Sequence, residues 1–359
     1  MALVLPLRAH LDWLKKASKS RLDQLRTSNA AATLSDAQLS IARDYGFSSW
    51  RAMKAEIDRR RIAFDALETA IAADTTPIAV DDAQLLQLHK AVRDGDVPAV
   101  VALLNARPAL VNAKGADGQA ALHVAAEWND VKLGALLFAS GADIDMTFGE
   151  SGHTALSWAI TCNALDFART ITALGARADL FCAAGMGDVD GIRAAFDAPG
   201  QLKPGASRTG SSRHADDGSR LPCPPASARD QISDALYAAS RTGRADAVRE
   251  LLTHDPDLSF RAYSGGTALH WAYFSGARDV IDLLIAAGAD TTRHDNTINA
   301  SPRAFGICTA ASWGFGWKAK MLLRSDPTLI DVRTADGKSA ADLAKAAGHA
   351  ALAEELAAR

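Results

Sequence analysis

The chain is poor in the residues that usually carry chemistry. Its four cysteines, Cys162, Cys182, Cys223 and Cys308, stand far apart with no CxxC spacing. This argues against a disulfide framework and a thiolate metal site, and points to reduced thiols in a cytosol. No run of 18 apolar residues occurs, so no membrane-spanning helix is expected. The apolar start MALVLPLRAH is too short for a signal peptide and is broken by Pro6. A net charge of -3 gives no global field favouring nucleic acid. HExxH, GxSxG and GxxxxGK[ST] are all missing. Gly337-Lys338-Ser339 ends like a phosphate loop but lacks the earlier glycine, and Asp336-Gly337 reads as a turn. These absences predict a cytoplasmic protein with no catalysis, no cofactor, no metal and no membrane or nucleic-acid partner.

What the chain does have is repetition. ALHVAAEWN starts at Ala121, ALSWAITCN at Ala155 and ALHWAYFSG at Ala268. Leu122 and Leu156 are 34 residues apart, Leu236 and Leu269 are 33 apart, and Gly-Ala pairs follow at Gly141, Gly175 and Gly288. A fixed period of this size means stacked supersecondary units, each too small to fold alone. First helices centre near His89, His123, Ser157, Phe181, Tyr237, His270, Cys308 and Asp342, which makes eight helix pairs. A small residue ends each first helix: Gly95, Asn129, Asn163, Gly187, Gly243, Gly276, Gly314 and Gly348. Chain reversal there requires φ > 0, which glycine adopts freely and asparagine tolerates best among the rest.

These residues resemble the ankyrin repeat, a β-turn followed by two antiparallel helices. The resemblance covers about 240 residues, although proline is absent from the Thr-Pro-Leu-His signature at Ala120–His123, Thr154–Ser157 and Thr267–His270. It implies an all-α solenoid of helix pairs with short β-turn fingers, and a protein partner rather than a substrate. It also implies that His89, His123 and His270 bond backbone and the signature threonine instead of a metal. Residues 1–72 lack the repeat and read as an N-terminal helical cap, with a second helix entered through Ser35 and Gln38. Leu34–Lys54 resembles a short helical module that precedes ankyrin arrays in many bacterial proteins.

Residues 73–83 read as a linker, 84–198 as a first sub-array and 231–359 as a second. Between them, residues 199–230 hold five Pro, four Gly and five Ser. Such a segment is expected to be a flexible loop or an arm laid over the surface. The spacing from Leu156 to Leu180 falls to 24, too short for a full finger.

The resemblance places the last two residues before each turn on the concave face. Arg93, Glu127, Trp128, Met186, Arg241, Phe274 and Trp313 are therefore the candidate partner-binding residues, with Tyr263 from a finger tip. Trp128, Phe274 and Trp313 would stand in water unless a partner, the insertion or the N-terminal module covers them. Trp158 and Trp271 are expected to pack between units. Finger tips add polar candidates that include Gln119, Glu150 and His153, while His214, Asp216 and Asp217 are a weak hard-cation candidate. A rival reading places a small-molecule pocket at the sub-array junction, lined by Cys162, Cys182, Met186 and Trp158. A Cys308–His270 pair on neighbouring helices is the nearest thing to a nucleophile. A monomer is favoured over an assembly.

Overall fold

A computed structural model describes residues 11–73, 77–149, 152–197, 200–215 and 219–359. Glu150, Asp216 and Asp217 lie outside the described residues. Three helices come first, α1 (Leu11–Arg26), α2 (Leu34–Asp44) and α3 (Trp50–Ala73). Leu14, Ile41, Ala42, Met53 and Ile57 form their shared core. The capping box of α2 is not Ser35 with Gln38. Thr33 is the cap: its hydroxyl accepts from the Asp36 N–H, and the Asp36 carboxylate accepts from the Thr33 N–H at 2.8 Å. A carboxylate three residues after a threonine satisfies both free donors, which starts the helix one residue before Ser35.

Eight helix pairs follow among the described residues. They are α4 (Ala83–Asp94) with α5 (Val97–Ala106), α6 (Ala121–Glu127) with α7 (Val131–Ala139), and α8 (Ala155–Thr161) with α9 (Leu165–Ala173). Next come α10 (Leu180–Met186) with α11 (Val189–Ala194), and α12 (Ala228–Arg241) with α13 (Ala245–Leu252). The last are α14 (Ala268–Ser275) with α15 (Arg278–Ala286), α16 (Pro302–Ser312) with α17 (Gly316–Ser325), and α18 (Ala340–Ala346) with α19 (Ala350–Ala357). All eight predicted reversal residues have positive φ, Asn129 at 54° and Asn163 at 58° among them. Asp96, Asp130 and Asp188 then cap the following second helix by accepting an N–H three residues on, at 2.9 to 3.0 Å.

Contacts divide the chain into two compact units. One holds Met1–Asp145 with Arg169–Ala176; the other holds Met146–Ala168 with Arg177–Arg359. In the first, α3 lies on the repeats. Phe64 meets Phe138 with ring centroids 5.7 Å apart, and Leu67 and Ile71 cover Gly141. In the second, the first helices α8, α10, α12, α14, α16 and α18 pack in succession. Leu180, Leu236, Leu269 and Leu284 belong to one buried cluster built from α10 to α15. Strands are confined, among the described residues, to the antiparallel pair β1 (Thr147–Phe148) and β2 (His153–Thr154) of one finger.

The described part of the insertion is laid on this second unit. Ala206 accepts the Leu180 N–H at 2.8 Å. The Asp179 carboxylate accepts the backbone N–H groups of Arg208 and Thr209 and the Thr209 hydroxyl, all at 2.8 Å, while capping α10 through the Cys182 N–H. Asp234 on α12 accepts the Ser211 N–H at 2.8 Å and its hydroxyl at 2.5 Å. Ser207, Thr209 and Ser211 are buried by this docking. The insertion therefore supplies hydrogen-bond donors at the start of α10, where the shortened spacing omits a finger, and α10 and α12 pack directly on each other.

Candidate partner-binding face

Where the first helices end, the two units differ. In the first, Arg93, Glu127 and Trp128 are exposed, and Trp128, which ends α6, keeps 59% of its surface in water. In the second, Met186, Tyr263 and Trp313 are half-buried, while Phe274 and Arg241 are buried. The expectation that Phe274 would stand in water fails. Trp271 and Trp313 pack on its ring at centroid distances of 5.3 and 5.6 Å, so residues of its own helix and of the next pair enclose it. Trp271 is fully buried; Trp158 is half-buried in an edge-to-face contact with Phe148.

Arg241 ends inside this aromatic group. Its guanidinium carbon lies 4.1 Å from the Trp271 ring centre, 5.5 Å from Phe274, 5.9 Å from Trp313 and 6.0 Å from Tyr263. These contacts attract a cation to the ring faces, but they leave its donors unused. Arg241 Nε and Nη1 are buried without a hydrogen bond, and the residue is only 8% exposed. Lys318, on α17 and only 5% exposed, approaches the same Phe274 ring to 5.3 Å. Its ammonium donates to the Ser275 carbonyl at 3.0 Å, at the C-terminal end of α14. Burial and the nearby Arg241 charge bring the Lys318 pKa down to about 8.

Three residues of this face were missed by sequence reasoning: Phe315, Trp317 and Lys318. Phe315 is 40% exposed and Trp317 is 65% exposed. Phe315 packs edge-on against Trp313 at 5.7 Å, and Lys318 lies 5.6 Å from the Trp317 ring centre. The signal was present in the alignment of repeats. Phe315 holds the N-cap position of its second helix, where Asp96, Asp130 and Asp188 accept a hydrogen bond and where phenylalanine, like Arg244, Ala277 and His349 in other pairs, does not. A cap of that kind is worth roughly 1 kcal/mol, so an exposed phenylalanine there forgoes stability.

The histidines divide. His270 Nδ1 accepts from the Thr267 N–H at 3.1 Å, so Nε2 carries the proton and donates to the Ala300 carbonyl at 3.3 Å. Burial lowers its pKa to about 4, which keeps it neutral. His123 accepts likewise from the Ala120 N–H. His89 departs from this pattern: α4 starts six residues earlier at Ala83, so no signature threonine faces it, and its buried Nε2 has no partner. Gln119 and His153, expected at finger tips, are buried; His153 meets Ser157 Oγ at 3.2 Å.

Burial pushes the Cys308 thiol up to about 12, so with a neutral His270 the pair holds no thiolate at neutral pH. Of the residues proposed for a junction pocket, Cys182 is buried in the core beside Asp179. Among the described residues no helix is long and apolar enough to cross a membrane, and no cluster of three His, Cys, Asp or Glu is gathered.

Comparison with known proteins agrees with the architecture. Residues 88–182 and 222–295 match the family model for ankyrin repeats in three copies. The ankyrin repeat and KH domain-containing protein mask-1 of Caenorhabditis elegans is 36% identical over 126 residues, which are 34% of this chain and 4% of that protein. The ankyrin repeat and KH domain-containing protein CBG24701 of Caenorhabditis briggsae shows the same identity and coverage. The chain thus spans about 4% of the length of these relatives. Residues 1–87 lie outside the family match, so the N-terminal module draws no support from it.

Proposed function

The repeats are ankyrin repeats, and the fold is an all-α ankyrin-repeat solenoid; from this premise we propose that the chain is a non-catalytic module that binds a partner protein through the turn ends of its helix pairs. The observation that carries this reading is the exposure of Trp128, Phe315 and Trp317 at those ends. Large aromatic side chains dominate binding energy when buried by a partner, and gain nothing for the free chain when left in water. In the first unit Arg93 and Glu127 supply polar surroundings to Trp128; in the second, Met186 and Tyr263 supply adaptable and polar ones, while Arg241, Phe274 and Trp313 form a rigid floor beneath Phe315 and Trp317. A surface pre-organised by repeat stacking loses little ordering entropy on association.

The test is affinity capture with the full chain beside Trp128→Ala and Trp317→Ala. One stoichiometric protein retained by the wild type and lost by a folded variant supports the reading and locates the contact. Equal capture by all three proteins refutes the assignment of these residues.

A further inference from the structure

Arg241 and Lys318 are two nearly buried cations against one phenylalanine ring, and among the described residues neither has a carboxylate partner. By contrast, the partly buried Arg107 meets the Asp82 carboxylate at 2.8 Å. Removing a cation from water is costly unless an anion or a full set of acceptors replaces the lost hydration. Arg241 has the opposite of such a set, with two sealed N–H groups and no acceptor. Lys318 has one acceptor, the Ser275 carbonyl, and beyond it faces Arg241, Phe274 and Trp317. The two charges repel each other, which is part of why the Lys318 ammonium is depressed.

We propose that Arg241 and Lys318 form the socket for an acidic side chain of the bound protein, an aspartate or glutamate carboxylate flanked by apolar residues. This rests on the protein-binding reading above and adds the chemistry of the partner. A carboxylate entering beside Phe274 accepts from Arg241 Nη2, the guanidinium nitrogen that is not sealed, and cancels the repulsion between the two cations. The guanidinium is held in place beforehand by Trp271, so little of its freedom remains to be lost. Half-buried Tyr263 and Trp313 form the outer wall. Exposed Phe315 and Trp317 stand beside the socket, where apolar residues flanking the carboxylate would lie. Two cations enclosed by aromatic rings on a chain of net charge -3 suit a single carboxylate better than the extended phosphate track of a nucleic acid.

The experiment is selection of a displayed library of random 12-residue peptides on the full-length protein and on the double variant Arg241→Met, Lys318→Met. The expected result is a set of peptides with an acidic residue at one fixed position next to apolar ones, absent from the variant's selection. Replacing that Glu by Gln in a synthetic copy should weaken binding to wild type about tenfold or more. The same replacement should barely change binding to the double variant.

If the double variant does not fold, the Glu-to-Gln comparison on wild type still decides the matter. Peptides selected without an acidic position overturn the socket and leave the protein-binding reading standing. So do acidic peptides that bind the folded double variant equally well. No enrichment at all overturns both. A 12-nucleotide single-stranded DNA that displaces the peptides and binds more tightly would make nucleic acid the ligand and overturn the proposal.

Discussion

Lys318→Met tests whether the socket is as poorly solvated as its geometry says. In the folded chain the Lys318 pKa is about 8 against an ordinary 10.5. Each unit is worth about 1.36 kcal/mol, so the difference links folding to pH by roughly 3 kcal/mol. The sign follows from proton counting. Between pH 8 and 10.5 the unfolded chain binds the Lys318 proton and the native chain has released it, so native stability rises with pH across this window. The contribution is fully present above pH 10.5 and is lost as pH falls through 8. The uncharged neighbours of the ammonium (Phe274, Trp317 and the Ser275 carbonyl) do not titrate.

Urea unfolding of wild type and Lys318→Met, followed by tryptophan fluorescence at pH 7 and pH 10.5, isolates the group, because titrations elsewhere cancel in the difference. Wild type should gain roughly 3 kcal/mol on the variant between the two pH values. At pH 7 the methionine chain should match or exceed wild type, having lost one hydrogen bond worth about 1 kcal/mol and a larger desolvation cost. Parallel pH profiles would show that Lys318 keeps an ordinary pKa. The claim that the socket lacks a counter-charge would then fail.

Asp234→Asn should remove a second pH dependence of opposite sign. Burial raises the Asp234 pKa from 3.8 to about 6, so the native chain holds the extra proton between these values and wild-type stability should rise by roughly 3 kcal/mol as pH falls through them; unfolding midpoints at pH 6.5 and pH 4 read it, and an unchanged slope in the variant refutes it. Gly210→Ala should destabilise by about 1 to 3 kcal/mol in thermal melts, since a Cβ there would lie 2.4 Å from an Asp234 carboxylate oxygen. Trp128→Ala and Trp317→Ala should stay within about 0.5 kcal/mol of wild type, whereas Trp271→Ala should cost about 3 to 5 kcal/mol; calorimetry that ranks all three together contradicts the distinction between exposed and packed rings.

The helix pairs were legible because their signals are local. A positive φ at Asn129 or Asn163 depends on the residue and on the turn that encloses it. The cap at Asp130 depends on a residue three positions away. Both repeat with the period, so a single sequence contains its own comparison set. The aromatic face was legible only in part. Position within a repeat identified Phe274 and Arg241 correctly as residues at helix ends, but their burial depends on how the rings of two successive first helices interlock around a side chain of the one before. Trp271, Phe274 and Trp313 are each one repeat or less apart, and together they close over one guanidinium.

The docking of the insertion was legible only as one of two alternatives, a flexible loop or an arm laid over the surface, for a different physical reason. Its composition predicts a high cost of ordering, and composition cannot show what offsets that cost. Two carboxylates do so. Asp179 and Asp234 lie 55 residues apart in sequence, yet both aim at the stretch from Arg208 to Ser211. Asp179 accepts the buried Thr209 N–H and hydroxyl, and Asp234 the buried Ser211 N–H and hydroxyl, so removing either acid leaves donors orphaned rather than merely loosening a loop. Asp179 also caps α10, which couples the start of that helix to the insertion. Asp179→Ala should therefore speed amide hydrogen exchange at Cys182 and at Thr209 together. Protection lost at Thr209 alone would mean that the helix start does not depend on the acid that holds the insertion.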